Sequence, residues 1–214
     1  MNEYLSLDGP IMQFFAKLWD VILLSILFSV CCIPLVTFGV SCSALYYTMV
    51  RAVLSGEGQT VRTFFRGLRQ NIGKGLVLGV LFEAVLAILL FSLYVVFIND
   101  LGMVGMLFGA AFLALLLIVL TTMAYAFPLL GRFENSVLGI LANSFFIAPT
   151  QWRETVAMLI LEIVLIVGIL VVPFIPYFLL FLPGVIFWMQ AKMLEPILAP
   201  YMQEGEKEDE TETV

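Results

Sequence analysis

Apolar residues run in long blocks, and polar residues gather in the short gaps between them. Crossing a bilayer takes roughly 20 apolar residues for about 30 Å of hydrocarbon. Five blocks meet that length: 18–39, 74–98, 101–130, 155–172 and 176–194. The connectors "ND" after Ile98 and "PFIP" after Val172 are short enough to make blocks two and three, and four and five, tight hairpins. The pattern predicts an all-α fold: a polytopic membrane helix bundle with five transmembrane helices in one domain, residues 1–202. One stretch is ambiguous, "VSCSALYYTMVRAVL" at 40–54. It is too apolar for an ordinary loop and short for a full crossing. If it crosses, there are six spans and the N-terminus lies inside.

The first block contains its own interruption, in "CCIPLVTFGVSCSALYY" at 31–47. Pro34 cannot donate an amide to the helix ladder, and its ring disturbs the turn before it. Thr37 and the serines can satisfy the loosened carbonyls, and Gly39 allows a turn. These three residues predict a broken helix at the inner end of block one. After it comes a short interfacial helix, 41–54, running along or dipping into the inner leaflet with Arg51 at the headgroups. Upstream, "GPIMQFFAKLWD" reads as interfacial, with Pro10 suited to a helix start.

Positive charge sets the expected orientation. The segment 51–74 holds Arg51, Arg62, Arg66, Arg69 and Lys74, and 131–154 holds Arg132 and Arg153. The two hairpin turns hold no cation. Cations accumulate on the cytoplasmic side. Five spans then put the N-terminus outside and the C-terminus in the cytoplasm. Within the first basic segment, "VRTFFRGLRQNI" gathers Val61, Phe64, Phe65, Leu68 and Ile72 on one side, flanked by the arginines. This predicts a cytoplasmic amphipathic helix lying on the inner membrane face. Arg62, Phe65, Arg66 and Arg69 are candidates for docking to anionic headgroups or to a membrane protein partner. The guanidinium fork fits phosphate and carboxylate alike.

Composition agrees with a membrane setting. The chain of 214 residues is 62% hydrophobic and 12% charged, with a mean hydropathy of +1.09. Soluble domains are about 45–50% apolar and about 25% charged. The net charge of −6 belongs mostly to the end of the chain, "QEGEKEDETETV", where Lys207 faces six carboxylates. Residues 203–214 read as an acidic, disordered cytoplasmic tail. A signal peptide is not expected, because Lys17 is the lone cation before the first apolar run and Glu3 and Asp8 oppose it.

Little here points to catalysis. There is no histidine, the commonest general base and metal ligand. Cys31, Cys32 and Cys42 form no Cys-x-x-Cys pair, and no small residue precedes Cys31 or Cys32 for lipid attachment. They read as small apolar fillers. Phosphate-binding loops, nucleophile–base pairs, HExxH and carboxylate clusters are all missing from the sequence. The expectation is a non-enzyme with no cofactor, no metal and no nucleic-acid partner. Two carboxylates, Glu83 and Glu162, fall inside spans, where charge is expensive and by default functional. They are candidates for a proton or ion path, or for structural pairing with Lys192. Gly75-xxx-Gly79 and Gly105-xxx-Gly109 offer smooth faces for helix packing. Prolines 34, 128, 173, 176 and 183 are expected to kink or end helices.

Taken together, "FFAKLWDVILLSILFSVCCIPLVTFGVSCSALYYTMVRAV" and "TVRTFFRGLRQNIGKG" resemble the YesL-like family of bacterial integral membrane proteins. The positions that carry the resemblance are Pro34, Thr37, Gly39, Ala44, Leu45, Tyr46, Phe64, Phe65, Arg66, Asn71 and Gly75. "FPLLGRFENSVLGILANSFF" is similar to a later part of that family, so the resemblance extends over about residues 10–200. It implies a multi-pass plasma-membrane protein of Gram-positive bacteria, of unknown function. Genes of that family commonly lie beside sugar-binding lipoproteins, ABC-importer permeases and glycoside hydrolases. The implied role is a non-enzymatic accessory of a carbohydrate (oligosaccharide) ABC importer, with permease subunits and anionic lipid as partners. The alternative is a small independent transporter or channel using Glu83 and Glu162. A third possibility, an importer permease, lacks a recognisable Glu-Ala-Ala-type coupling loop.

Overall fold

The computed structural model describes residues 10–56, 58–99, 102–171 and 176–212. Helix α1 (Pro10–Cys31) opens on a proline, whose missing N–H is harmless in a first turn. The helix ends at the approach to Pro34. One 3₁₀ turn, Leu35–Thr37, bridges to α2 (Phe38–Thr48), which passes directly into a π-helical turn, Met49–Leu54. Thr37 Oγ1 stands 2.5 Å from the Cys31 carbonyl and 2.7 Å from the Pro34 carbonyl. One hydroxyl proton is thus shared between the Cys31 carbonyl, at the end of α1, and the Pro34 carbonyl, which also accepts the Thr37 N–H at 3.0 Å.

The rest of the chain is helical as well: α3 (Thr60–Ile98), α4 (Gly102–Arg132), α5 (Val137–Thr150), α6 (Trp152–Val171) and α7 (Pro176–Glu212). Among the described residues, three helices are long and apolar enough to cross a membrane: Phe14–Cys31 of α1, α3 and α4. The "PFIP" connector and Asp100 lie outside the described residues.

The expected interfacial helix is instead the centre of the bundle. Gly39 through Tyr46 and Thr48 are buried, and so are Met49, Val50, Ala52 and Val53. Helices α1, α3, α4 and α7 all pack on this segment. Small residues make that possible by letting backbones approach closely. A Cβ on Gly39 would lie 2.6 Å from the Gly75 carbonyl oxygen and 2.7 Å from Gly79 Cα. Gly67 meets Ala44 and Tyr47, and Gly131 meets the Ser43 carbonyl. Two hydroxyls of the segment turn onto its own backbone: Ser43 donates to Val40 at 2.9 Å and Thr48 to Ala44 at 2.7 Å. A helix buried all round needs no polar face.

The separate amphipathic helix expected at 61–72 is also corrected. These residues form the first turns of the 39-residue α3, since Gly73 alone does not stop a helix. The side of α3 turned inward here is Thr60, Thr63, Phe64 and Gly67, while Val61, Phe65 and Ile72 are exposed. Of the five residues assigned to one apolar face, Phe64 is fully buried and Leu68 partly so.

Helix α2 runs antiparallel to α3, from Gly39 beside Gly79 to Tyr47 beside Gly67. Thr60, at the start of α3, donates a 2.6 Å hydrogen bond to Asp20 in α1. Asp20 and Thr60 therefore share one end of the bundle. The break lies beside Gly75 and Gly79, about 22–28 Å along α3 at 1.5 Å per residue. A first span that carries the chain from one membrane face to the other, with residues 18–20 and 60 on opposite faces, does not accommodate this contact. The five-span ordering expects residue 20 and the start of the basic segment at opposite ends of the bundle, and the contact brings them to one end. The chain goes up in α1 and returns in 38–54.

Helix α4 returns along α3, with Gly109 beside Val96 and the Phe82 and Phe127 rings 5.7 Å apart. Helix α7 continues through Glu212. Its last turns are rich in Gln, Glu and Lys, which are good helix formers.

Candidate functional site: a carboxylate-bearing cavity and a basic face

Two polar arrangements and one cavity stand out from the apolar background. The first was not visible in the sequence. Arg132 Nε lies 3.0 Å from Glu195 Oε1, and Arg132 Nη2 lies 2.6 Å from Oε2. This is a bidentate pair, which fixes geometry as well as charge. The Tyr46 hydroxyl donates to the same Oε1 at 3.1 Å. The cluster ties α2, α4 and α7 together. Arg132 and Glu195 are 63 residues apart, so no local spacing announces them.

Lys192, the expected partner for an intramembrane carboxylate, is exposed and lies 3.9 Å from the centre of the Trp188 ring. That is a cation–π contact. It pairs with neither Glu83 nor Glu162; among the described residues the ion pair is Arg132–Glu195.

The cavity, about 160 Å³ in volume, opens between α1, α2, α4, α6 and α7. Its wall includes Phe28, Phe38, Phe127 and Phe187, together with Cys42, Gln190 and Glu162. The rings touch one another: Phe28 and Phe187 are 5.9 Å apart between centres, Phe38 and Phe127 also 5.9 Å, the latter edge-on. Gln190 is 3% exposed and Glu162 half-buried. Glu83 does not line this cavity. Its Oε1 is buried without a hydrogen-bond partner among the described residues, as is Ser41 Oγ. The two carboxylates thus do not share one chamber.

The second polar arrangement is on the outside. Arg62, Phe65, Arg66 and Arg69 are all exposed along the first turns of α3, opposite the face held against α2. Arg62 donates to Gln59 Oε1 at 3.3 Å. The two glycine pairs differ. Gly75 and Gly79 meet α2 backbone to backbone, whereas a Cβ on Gly109 would find Val96 at an ordinary 3.6 Å. Gly105 is buried and, with Gly109, borders a groove beside Val96 and Asn99. Pro34 and Thr37 occupy the gap between α1 and α2, and Gly39 sits in the first turn of α2. The cysteines are free thiols, with Cys42 buried. Among the described residues no group of three or more acidic or sulfur ligands could hold a metal.

The family model described as "Protein of unknown function, DUF624" matches residues 21–93. That stretch runs from α1 through most of α3. It takes in the helix break, the Gly39–Gly79 contact, the basic face and Glu83. The Arg132–Glu195 pair and Glu162 lie beyond it. No curated protein matches the chain, and no solved structure does.

Proposed function

We propose that the chain is a multi-pass protein of a bacterial plasma membrane and a non-enzymatic accessory of a carbohydrate ABC importer. Its N-terminus lies on the cytoplasmic face, with both basic segments and the acidic tail, and 38–54 counts as a buried return segment. The Asp20–Thr60 hydrogen bond supports this arrangement, because the basic segment follows Thr60 directly. The observation that carries the accessory role is the exposed Arg62–Phe65–Arg66–Arg69 face, whose opposite side is locked to α2. The guanidinium forks of a rigid basic and aromatic ridge at the membrane surface suit carboxylates on a partner's cytoplasmic face. The resemblance set out above supplies the class of partner. Purification in mild detergent tests the reading: permease subunits copurify with the native chain. They are lost from the Arg62→Glu, Arg66→Glu, Arg69→Glu triple variant, which keeps its thermal transition. Absence of permeases from the native preparation overturns it.

The cavity favours a second reading, a small transporter in which Glu162 lies on the path. Solute or proton flux in reconstituted vesicles, abolished by Glu162→Gln, distinguishes it from the first. Tight vesicles count against it.

A further inference from the structure

Glu162 holds an acid with no basic group to answer it. None of the side chains around its cavity is a lysine or arginine. Arg132 is committed to Glu195, and Lys192 to the Trp188 ring. No hydrogen bond among the described residues reaches Glu162. A carboxylate withdrawn from water requires a proton or a cation.

The surroundings choose between ligand classes. Phenylalanines from four helices, Phe28, Phe38, Phe127 and Phe187, converge on the space. Aromatic rings attract cations through their quadrupole. Gln190, almost completely buried in the same wall, adds one amide carbonyl able to accept from an N–H. A sugar would bring many hydroxyls to a wall that has too few polar atoms to pair with them. An anion would meet the charge of Glu162. The volume of about 160 Å³ matches a guest about the size of benzene, which a dry cavity of about 150 Å³ accommodates.

We propose that this cavity binds a small organic cation, an ammonium bearing an apolar group of about phenyl size. Glu162 is its counter-ion, the four rings enclose its apolar and cationic surface, and the Gln190 carbonyl accepts from a primary ammonium. This site is separate from the basic face of α3 and does not depend on the importer reading.

The test uses the full chain in lipid nanodiscs, with empty nanodiscs subtracted. Benzylammonium is the probe and benzyl alcohol its neutral counterpart, compared by calorimetric titration. Benzylammonium binds saturably and at least tenfold more tightly than benzyl alcohol. Glu162→Gln weakens the cation at least tenfold and leaves the alcohol unchanged. Should that variant fail to fold, Phe187→Leu carries the same comparison, because it keeps the cavity apolar but removes a ring; its loss falls on the cation. Equal affinity for the two probes, a cation affinity indifferent to these changes, or no saturable binding above the lipid background overturns the assignment.

Discussion

Thr60 donates a 2.6 Å hydrogen bond to Asp20, across 40 residues of chain. The contact fixes the middle of α1 beside the start of α3. Oxidation of an Asp20→Cys, Thr60→Cys pair, in a background lacking the three native cysteines, therefore closes a disulfide within the folded chain. The product runs as a shifted band on non-reducing gels, and each single variant does not.

The Gly39 contact allows no side chain. A Cβ there meets backbone atoms of Gly75 and Gly79 at 2.6 and 2.7 Å, and backbone gives way less easily than a flexible side-chain end. Gly39→Ala lowers stability by about 1–3 kcal/mol, the usual cost of overpacking. Gly73, with nothing within 4 Å of a built Cβ, is the control. Gly73→Ala leaves stability unchanged or raises it by about 0.5–1 kcal/mol, since alanine is the better helix former. Thermal unfolding in detergent separates the two.

Arg132 and Glu195 are each about one-fifth exposed, at 19% and 21%. Arg132→Ala leaves Glu195 with the Tyr46 hydroxyl alone. The expected loss is about 2 kcal/mol, below that of a fully buried pair because water reaches the site. Replacing both residues, Arg132→Gln with Glu195→Gln, costs less than the single change. Unfolding midpoints of the three variants check the order.

Thr37→Val keeps shape and removes the donor that serves the Cys31 and Pro34 carbonyls. A loss of about 1 kcal/mol is expected, and Thr37→Ser restores most of it. Equal stability for all three chains would show that the carbonyls find other donors.

The interruption at Pro34 and Thr37 was legible because each residue type has one local consequence, a missing donor and a hydroxyl; Gly39, expected to allow a turn, is instead helical and lets α2 approach α3. The long helices were legible from apolar length, with α4 ending within two residues of the expected block. The placement of 38–54 was not. Its serines, threonine and tyrosines look like a surface in sequence, yet small residues and self-bonded hydroxyls are also what a fully enclosed helix in a membrane protein uses. The continuity of α3 was hidden by its change of composition near Lys74. A helix can leave the membrane without ending. The Arg132–Glu195–Tyr46 cluster and the rings around Glu162 come from distant helices, and only packing brings them together.

The burial of 38–54 also bears on how the chain is made. This segment has almost no side free to face lipid, so it gains little by entering the bilayer before its neighbours exist. Helices α3 and α4 are synthesised after it, and Glu195, whose carboxylate holds Tyr46, comes close to the end. The centre of the bundle is therefore completed only once α7 has followed it. A product truncated before Glu195 leaves that centre uncovered and open to membrane quality control.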